Sequence, residues 1–378
     1  MGADERSTGL EDVTVTFGGG PPALCGVTLL AAPGEVLAVV GPSGSGKTTA
    51  LRAVAGLEPV RGGRVLVAGR DVTRVPTPQR ELGMVFRAAT LLPFLDVAAN
   101  LTRAASAPSP GPGAGRRVAE RSRRLGLGRL LQRMPRTLSA GETTLAGIGR
   151  ALVRAPAAFL FDDPLAHLDA VERVRARRTI VSVVREAGVG ALYVAADPVE
   201  AMAVADRIAV LRDGQVVQVD RPRRLYDRPV DAFVAGFLGG RELGLLPARL
   251  VAAAGGAGFR IGARTLPLWG PVPAALTGRV GDTVLLGLRA EDVGEARPGA
   301  DPGSVTLPVS VRRVEPAGHD AVVTAEVDLP GEADGARLYA RADAATRLRA
   351  GERAELVVDA RRAHVFDPAT RRALHHPA

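Results

Sequence analysis

The stretch VVGPSGSGKTTA, from Val39 to Ala50, holds the residues of this sequence that are best suited to chemistry. Lys47 is the only lysine among 49 basic residues, and all the others are arginine. Residues 41–48 fit the spacing G-x-x-x-x-G-K-S/T, in which backbone N–H groups face an anion and the lysine reaches the phosphates of a nucleotide as a compact charge. The spacing therefore predicts a nucleotide phosphate site. The alternative is a glycine-rich turn that matches by chance.

A phosphate-binding loop of this kind needs a strand before it and a helix after it. The apolar run Val36–Val40 predicts the strand, and the run TTALRAVAGL predicts the helix, whose dipole would face the phosphates. Gly44 and Gly46 would let the loop fold into a nest of N–H groups. The predicted phosphate-binding residues are Gly41, Pro42, Ser43, Gly44, Ser45, Gly46, Lys47, Thr48 and Thr49.

Two carboxylates follow a second apolar run, AAFLFDD, which predicts a buried strand that ends at Asp162 and Asp163. Asp162 is placed to hold a metal ion through its water shell, and the hydroxyl of Thr48 is expected to bind Mg²⁺ directly. A pair of exposed acids after a strand is the alternative. The phosphate-binding loop upstream favours the metal site.

The length and composition of the chain limit the class of protein. A length of 378 residues with 46% hydrophobic residues fits a globular chain of about two domains. The net charge of +9 is spread among acids, so a solvated surface is favoured over a nucleic-acid footprint. Cys25 is the single cysteine, which suits a reducing cytosol. The polar N-terminus lacks a signal-peptide core, and no run approaches about 18 uncharged apolar residues, so a membrane role is expected only through a partner.

The pattern of apolar and polar residues changes at GFLGGRELG, residues 236–244. Short apolar runs alternate with helical stretches before it, as in a parallel sheet covered on both faces. Alternating apolar and polar residues follow it, as in a small β-barrel. We therefore predict domains at 1–238 and 239–378. The stretch AASAPSPGPGAG at residues 104–115 is predicted to be a flexible loop without helix or strand.

Over nearly its whole length the chain resembles the ATP-binding subunits of ABC importers. The matching stretches are GPSGSGKTT, GRDVTRVPTPQRELGMVF, LSAGE, FLFDDPLAHLDA, VEAMAVADRIAVLRDGQVVQ and LYDRPVDAFVAGFLG, while GDTVLLGLRAEDV and HVFDPATRRAL are similar to the accessory barrel of carbohydrate-type importers. The resemblance implies an α/β P-loop nucleotide-binding domain of parallel-sheet core and helical subdomain, at about 88–155, followed by a small all-β OB-like barrel.

The resemblance also implies a head-to-tail dimer, with ATP between the P-loop of one subunit and the signature loop of the other. Ser139 and the N–H of Gly141 would cradle phosphate across that interface, and Asp169 is placed with the nucleotide-binding residues. Phe17 matches the aromatic residue that stacks on adenine. The alternative for Phe17 is an ordinary core side chain.

Four parts of the hydrolytic apparatus depart from the family pattern. Arg87 stands where a glutamine contacts Mg²⁺ and the attacking water, and an arginine has donors only. It could pair with the γ-phosphate or point to solvent. The signature reads LSAGE, so Ala140 adds a Cβ to a loop that glycine lets approach closely, and Glu142 places a carboxylate near a polyanion.

The other two departures affect hydrolysis. Asp163 replaces the glutamate general base and is shorter by one methylene, about 1.5 Å of reach. Ala196 replaces the switch histidine, and His167 is expected to be a surface or interface residue rather than a substitute for it. The phosphate cradle is thus predicted to be intact, with hydrolysis impaired or dependent on a partner subunit.

We expect an ATP- and Mg²⁺-binding subunit that energises solute import, with carbohydrate as the first choice of solute. The implied partners are transmembrane permease subunits, a second ATP-binding subunit of the same or a different chain and, indirectly, a solute-binding protein, with a peripheral location on the cytoplasmic side of the membrane. No nucleic acid is expected as a partner. The alternatives are a non-hydrolysing nucleotide-binding regulator and a DNA- or ribosome-associated ABC protein, against which the importer-type barrel argues.

Overall fold

The computed structural model describes residues 6–87, 91–106, 113–239, 242–253, 256–268, 272–296, 304–327, 329 and 336–377. The chain divides into two compact units, the first ending at Pro222 and the second beginning at Arg223. No helix in the described ranges combines the length and the apolar composition needed to cross a membrane.

Two sheets form the framework of the first unit. Its strands are β1 (Thr8–Thr16), β2 (Pro22–Ala31), β3 (Val36–Val40), β4 (Gly62–Val67), β5 (Arg70–Asp71), β6 (Leu82–Val85), β7 (Ala158–Asp162), β8 (Ala191–Val194), β9 (Arg207–Arg212) and β10 (Gln215–Asp220). One antiparallel sheet has the order β2-β1-β4-β5, and the other has the order β10-β9-β3-β8-β7-β6. All pairs of the second sheet are parallel except β10 with β9. The predicted parallel sheet is confirmed, and β3 is buried along its whole length, as its apolar run indicated.

The helices of this unit are α1 (Lys47–Ala55), α2 (Val97–Ala105), α3 (Ala114–Leu125), α4 (Ala140–Leu152), α5 (Ala170–Ala187) and α6 (Pro198–Val204). Helix α1 lies between the two sheets, because its buried Leu51 and Val54 share one apolar core with Leu10 of β1 and with Val39 and Leu160 of β3 and β7. The helix that follows the phosphate-binding loop is therefore held from both sides.

Helices α2, α3 and α4 occupy the stretch for which a helical subdomain was predicted. Residues 88–90 and 107–112 of that stretch lie outside the described residues. The prediction that residues 104–115 hold no helix is wrong at both ends, because Ala104 and Ala105 complete α2 and Ala114 begins α3. Ala104 and Ala105 are buried, so packing overrides the weak local signal there.

The second unit begins with two short helices and continues as strands. Its elements are α7 (Pro222–Asp227), α8 (Ala232–Leu238), β11 (Leu243–Ala253), β12 (Gly256–Ile261), β13 (Arg264–Leu268), β14 (Thr283–Arg289), β15 (Val293–Glu295), β16 (Ser304–Ala317), β17 (Asp320–Val327), β18 (Ala336–Asp343), β19 (Arg353–Asp359), β20 (His364–Phe366) and β21 (Ala373–His375). Two antiparallel sheets, β13-β12-β11-β14-β20-β21 and β15-β19-β16-β17-β18, enclose one apolar core. The predicted all-β character is confirmed.

The division after Pro222 lies ahead of the predicted boundary at 238/239. The reason is the packing of α8, whose Ala232 and Ala235 form a cluster with Phe366 of β20. The N–H of Ala232 also donates to the carbonyl of Arg371. Helix α8 is thus part of the strand-rich unit, although its sequence continues the helical texture of the first half.

Candidate nucleotide-binding site

The loop between β3 and α1 has the backbone that a phosphate cradle requires. Gly46 precedes α1 in the left-handed region, at φ 101°, and a Cβ on it would lie 2.7 Å from the carbonyl oxygen of Ala23. A Cβ on Gly41 would lie 2.1 Å from the carbonyl oxygen of Leu211. Only glycine therefore fits at either position. Thr48 and Thr49 lie in the first turn of α1, and Pro42, Ser43 and Gly44 are exposed on the loop.

Lys47 is held by the loop itself. Its Nζ donates to the carbonyl oxygens of Gly41 at 2.8 Å and Pro42 at 2.7 Å. Burial lowers the pKa of Lys47, and the nearby charges of Asp163 and Asp162 oppose that shift. The ammonium group is therefore positioned before any phosphate arrives. The buried Oγ of Ser45 has no hydrogen-bond partner within the described part of the chain.

Asp162 ends strand β7 beside the P-loop. Burial raises the pKa of its carboxyl group, the charge of Asp163 raises it further, and Arg87, Arg52 and Lys47 act in the opposite direction. A bound cation would remove the cost of this buried charge. A carboxylate and a hydroxyl are oxygen ligands that suit Mg²⁺, so Asp162 and Thr48 have the chemistry of the predicted metal site.

Asp163 is buried to 8% exposure and has a left-handed backbone, at φ 48°. Its N–H donates to the carbonyl of Val194, and its Oδ1 accepts a long hydrogen bond of 3.5 Å from the N–H of Ala196. Its Oδ2 lies 3.4 Å from Nε of Arg87 but receives no aligned hydrogen bond, so the contact is an ion pair only. Arg87 is thus largely exposed but contacts Asp163. This pairing was not predicted from the sequence.

The signature loop forms a second cluster. Ser139 precedes α4 and accepts a hydrogen bond from the N–H of Glu142, while the Glu142 carboxylate accepts from the N–H of Ser139. Glu142 also lies 3.1 Å from Nη1 of Arg133. The bond from the Ser139 backbone, followed by the charges of Arg133 and Arg129, lowers the pKa of Glu142. The carboxylate predicted to oppose a polyanion is thus partly neutralised by its own chain.

Gly141 is the second residue of α4 and lies against the start of α5, and Asp169 is the residue that precedes α5. A Cβ on Gly141 would lie 3.0 Å from Oε2 of Glu172 and 3.3 Å from the carbonyl oxygen of His167. The Asp169 side chain accepts from the N–H of Glu172 and caps α5. Of the hydrogen bonds and ion pairs among the described residues, none joins this cluster to the P-loop.

Two further expectations concern exposed side chains. Phe17 follows β1 and is 51% exposed, so the alternative of a core phenylalanine is wrong. Stacking on adenine stays a prediction for it. His167 is exposed, as expected for a surface residue.

Two family models match the chain, the ABC transporter model over residues 24–166 and the TOBE domain model over residues 275–366. The sn-glycerol-3-phosphate import ATP-binding protein UgpC of Chromohalobacter salexigens is 39% identical over 359 residues, which cover 95% of this chain and 93% of that protein. The chain belongs to the ATP-binding proteins of ABC transporters. Membership of this family confirms the prediction that the chain is an ATP-binding protein.

Other relatives of this ATP-binding subunit agree. The diacetylchitobiose uptake system ATP-binding protein MsiK of Streptomyces coelicolor is 38% identical over 338 residues, covering 84% of this chain and 88% of that protein. A dimeric post-hydrolysis structure of the ATP-binding cassette MJ0796 with ADP and Pi has a TM-score of 0.52 and 27% identity, covering 57% of this chain and 99% of that one. The predicted fold class, a P-loop domain followed by an OB-like all-β domain, is confirmed.

Sequence reasoning missed three residues that support the elements around the site of this subunit. The hydroxyl of Tyr193, on β8, donates to Oε1 of Glu200 at 2.5 Å. Burial raises the pKa of Glu200, with a further contribution from the charge of Asp163. Arg80 is buried at the C-terminal end of α1. Arg80 and Glu200 lie in stretches that match the family and Tyr193 lies outside them, and no local pattern indicates a side chain's distant partner.

Proposed function

We propose that this ATP-binding subunit energises the import of a carbohydrate, with ATP and Mg²⁺ bound at the P-loop. The observation that carries the proposal is the position of Lys47, held by the carbonyl groups of Gly41 and Pro42 at the start of α1. Relatives whose names specify import of sn-glycerol-3-phosphate and uptake of diacetylchitobiose support a sugar or a sugar-like polyol as the solute.

Each site residue has a role in this proposal. The loop N–H groups and Lys47 bind the β- and γ-phosphates, and Phe17 stacks on the adenine. Thr48 and Asp162 hold Mg²⁺, which neutralises phosphate charge when it is bound. Ser139, Gly141 and Asp169 act from the facing subunit of a dimer. Their separation from the P-loop within one chain is in keeping with that arrangement.

Closure of the dimer on ATP drives transport, and slow or partner-dependent hydrolysis reopens it. The general-base position holds Asp163, whose carboxylate contacts Arg87, and the switch position holds the exposed Ala196. Removing a well-placed base typically costs about 10² to 10⁴ in rate, so we expect weak phosphate release from the subunit alone.

The partners proposed are transmembrane permease subunits, which place the chain at the cytoplasmic face of the membrane, with a solute-binding protein acting through them. A groove of about 410 Å³ between α1, β6 and the helical region offers a place for a permease helix. Phe86 and Leu57 contribute exposed apolar surface to it, and Arg103, Arg150 and Arg154 line it too. No nucleic acid is part of the proposal.

Calorimetric titration of the full chain with Mg·ATP tests the ligand. Lys47→Ala is expected to abolish binding, whereas Arg64→Met, which alters an exposed ion pair with Glu11, should bind as the unmodified chain does. Unchanged ATP affinity in Lys47→Ala would overturn the proposal. The solute is tested by uptake of labelled disaccharides into vesicles that contain the subunit with its permease.

A further inference from the structure

Two of the side chains that depart from the family pattern contact each other. Nε of Arg87 lies 3.4 Å from Oδ2 of Asp163. Arg87 follows β6 and Asp163 follows β7, and these neighbouring parallel strands carry both residues to the same edge of the sheet. The sequence alone treats the two substitutions as separate defects, whereas the fold makes them one pair.

The surroundings of Asp163 explain why this contact matters. The residue is 8% exposed, it follows Asp162 directly, and its charge also raises the pKa of Glu200. Three carboxylates are thus close together at the ends of β7 and α6. A buried carboxylate is costly unless a cation or hydrogen-bond donors compensate for it.

Several cations act on these carboxylates, and among them the charge of Arg173 lowers the pKa of Glu200. Lys47 interacts with both Asp162 and Asp163 but donates to the carbonyls of its own loop. Arg52 lies 3.3 Å from Glu58. Arg87 is the residue whose guanidinium reaches Oδ2 of Asp163, although its side chain is 67% exposed and has solvent as an alternative.

The backbone holds the other side of the carboxylate. The left-handed conformation of Asp163 and the bond from its N–H to Val194 direct Oδ1 towards the N–H of Ala196, at 3.5 Å. Both oxygens therefore face groups of the protein. A carboxylate in that arrangement must leave these contacts before it can orient a water molecule against a phosphate.

We propose that Arg87 is a positioning residue that restrains the Asp163 carboxylate, so that the two departures act as one unit and limit phosphate release together. This rests on the proposed function, because it concerns the rate at which bound ATP is hydrolysed. Arg87 acts through Asp163 and has no independent effect on the phosphate.

A double-mutant cycle tests the pairing through the reaction. Arg87→Met, Asp163→Asn and the double variant are compared in single-turnover phosphate release with full-length protein in excess over labelled ATP. Arg87→Met should raise the rate of phosphate release by about tenfold, which is less than the factor of about 10² to 10⁴ that a well-placed general base contributes. In the Asp163→Asn background the same change should have no effect. An equal factor in both backgrounds, or no change in either, would overturn the proposal.

A second cycle needs no reaction. Urea-unfolding midpoints of the same four nucleotide-free proteins should be non-additive, and the non-additivity should shrink in about 1 M NaCl, where the screening length is about 3 Å. Arg52→Met combined with Asp163→Asn is the matched control and should be additive. Additive midpoints for Arg87 and Asp163 would also overturn the pairing.

ATP affinity, measured on every protein, separates the two ideas. Failure of the unmodified chain to bind ATP refutes the proposed function and leaves the urea cycle as the test of the pair. Normal ATP binding with additive cycles refutes the pair alone.

Discussion

The guanidinium of Arg80 lies directly against Gly56, the residue that ends helix α1. A Cβ on Gly56 would lie 2.7 Å from Cζ of Arg80. Nη1 of Arg80 donates to the carbonyls of Ala53 and Val54 in the last turn of α1, at 3.0 and 2.7 Å, and Nε donates to Val75 at 2.8 Å. A cation thus caps the negative end of the helix whose other end faces the phosphates.

We expect Arg80→Met to destabilise the first unit by about 2–4 kcal/mol, since each buried carbonyl left unpaired costs about 1–3 kcal/mol. Urea unfolding measures the change. Arg74→Met, at an exposed position in the same stretch, is the control and should lie within about 0.5 kcal/mol of the unmodified chain. Gly56→Ala should also destabilise, because the methyl group must displace the guanidinium. Equal effects of Arg80→Met and Arg74→Met would contradict the capping role.

The pairing of Glu142 with Arg133 predicts opposite effects of two changes on ATP affinity. Glu142→Gln keeps an acceptor for the N–H of Ser139 and removes a charge that repels phosphate, so affinity should rise. Arg133→Met leaves that charge uncompensated, so affinity should fall. About 1 kcal/mol, or roughly fivefold, is expected for each because the pair is partly exposed. Arg129→Met is the control, as Arg129 is more exposed and lies 3.9 Å away. Titration with a fluorescent ATP analogue under dimer-forming conditions measures these affinities. A fall in affinity with Glu142→Gln would contradict the repulsion between Glu142 and the phosphates.

Restoring the family residues at the two hydrolytic positions should restore phosphate release. Asp163→Glu adds about 1.5 Å of reach, and Ala196→His supplies an imidazole at the exposed start of the loop before α6. We expect the combined change to raise release by about 10² or more, with ATP affinity unchanged within about threefold. Phosphate release and ATP affinity are measured side by side on both single variants and the double variant. Ready release by the unmodified chain would show that the impairment inferred from these substitutions is wrong.

Local spacing predicted the P-loop, its flanking strand and helix, and the acidic end of β7, because the chemistry of a phosphate cradle depends on neighbours in sequence. The contacts that modify the site are different. Arg80, between β5 and β6, contacts the end of α1. Arg133 contacts Glu142 of α4, and Arg87 contacts Asp163 from the end of the neighbouring strand. Each contact depends on tertiary packing and leaves no periodic signal. The placement of α8 in the second unit was missed for the same reason.

The second unit contains a buried histidine whose protonation opposes folding. His364, on β20, is 2% exposed, and its Nδ1 lies 3.2 Å from Nδ1 of His376. Burial lowers the pKa of His364 to about 3, with smaller contributions from the positive charge of Arg289 and from His376 and His375. His364 is therefore mostly neutral in the folded unit from about one pH unit above that value.

The pH dependence follows from the sign of this shift. In the unfolded chain His364 binds a proton near pH 6.5, and in the folded unit it does not. The contribution of His364 to the stability of the unit is therefore fully present above pH 6.5 and is lost as the pH falls towards about 3. The loss is at most about 1.4 kcal/mol per pH unit for one such group. Hydrogen exchange of β14 and β20 in the full chain, at pH 7 and at pH 5, measures it. His364→Gln should flatten this dependence, whereas His319→Gln, at an exposed position, should leave it as it is. The same steep loss in His364→Gln would assign the acid sensitivity to other groups, because a residue that cannot take up the proton cannot be its source.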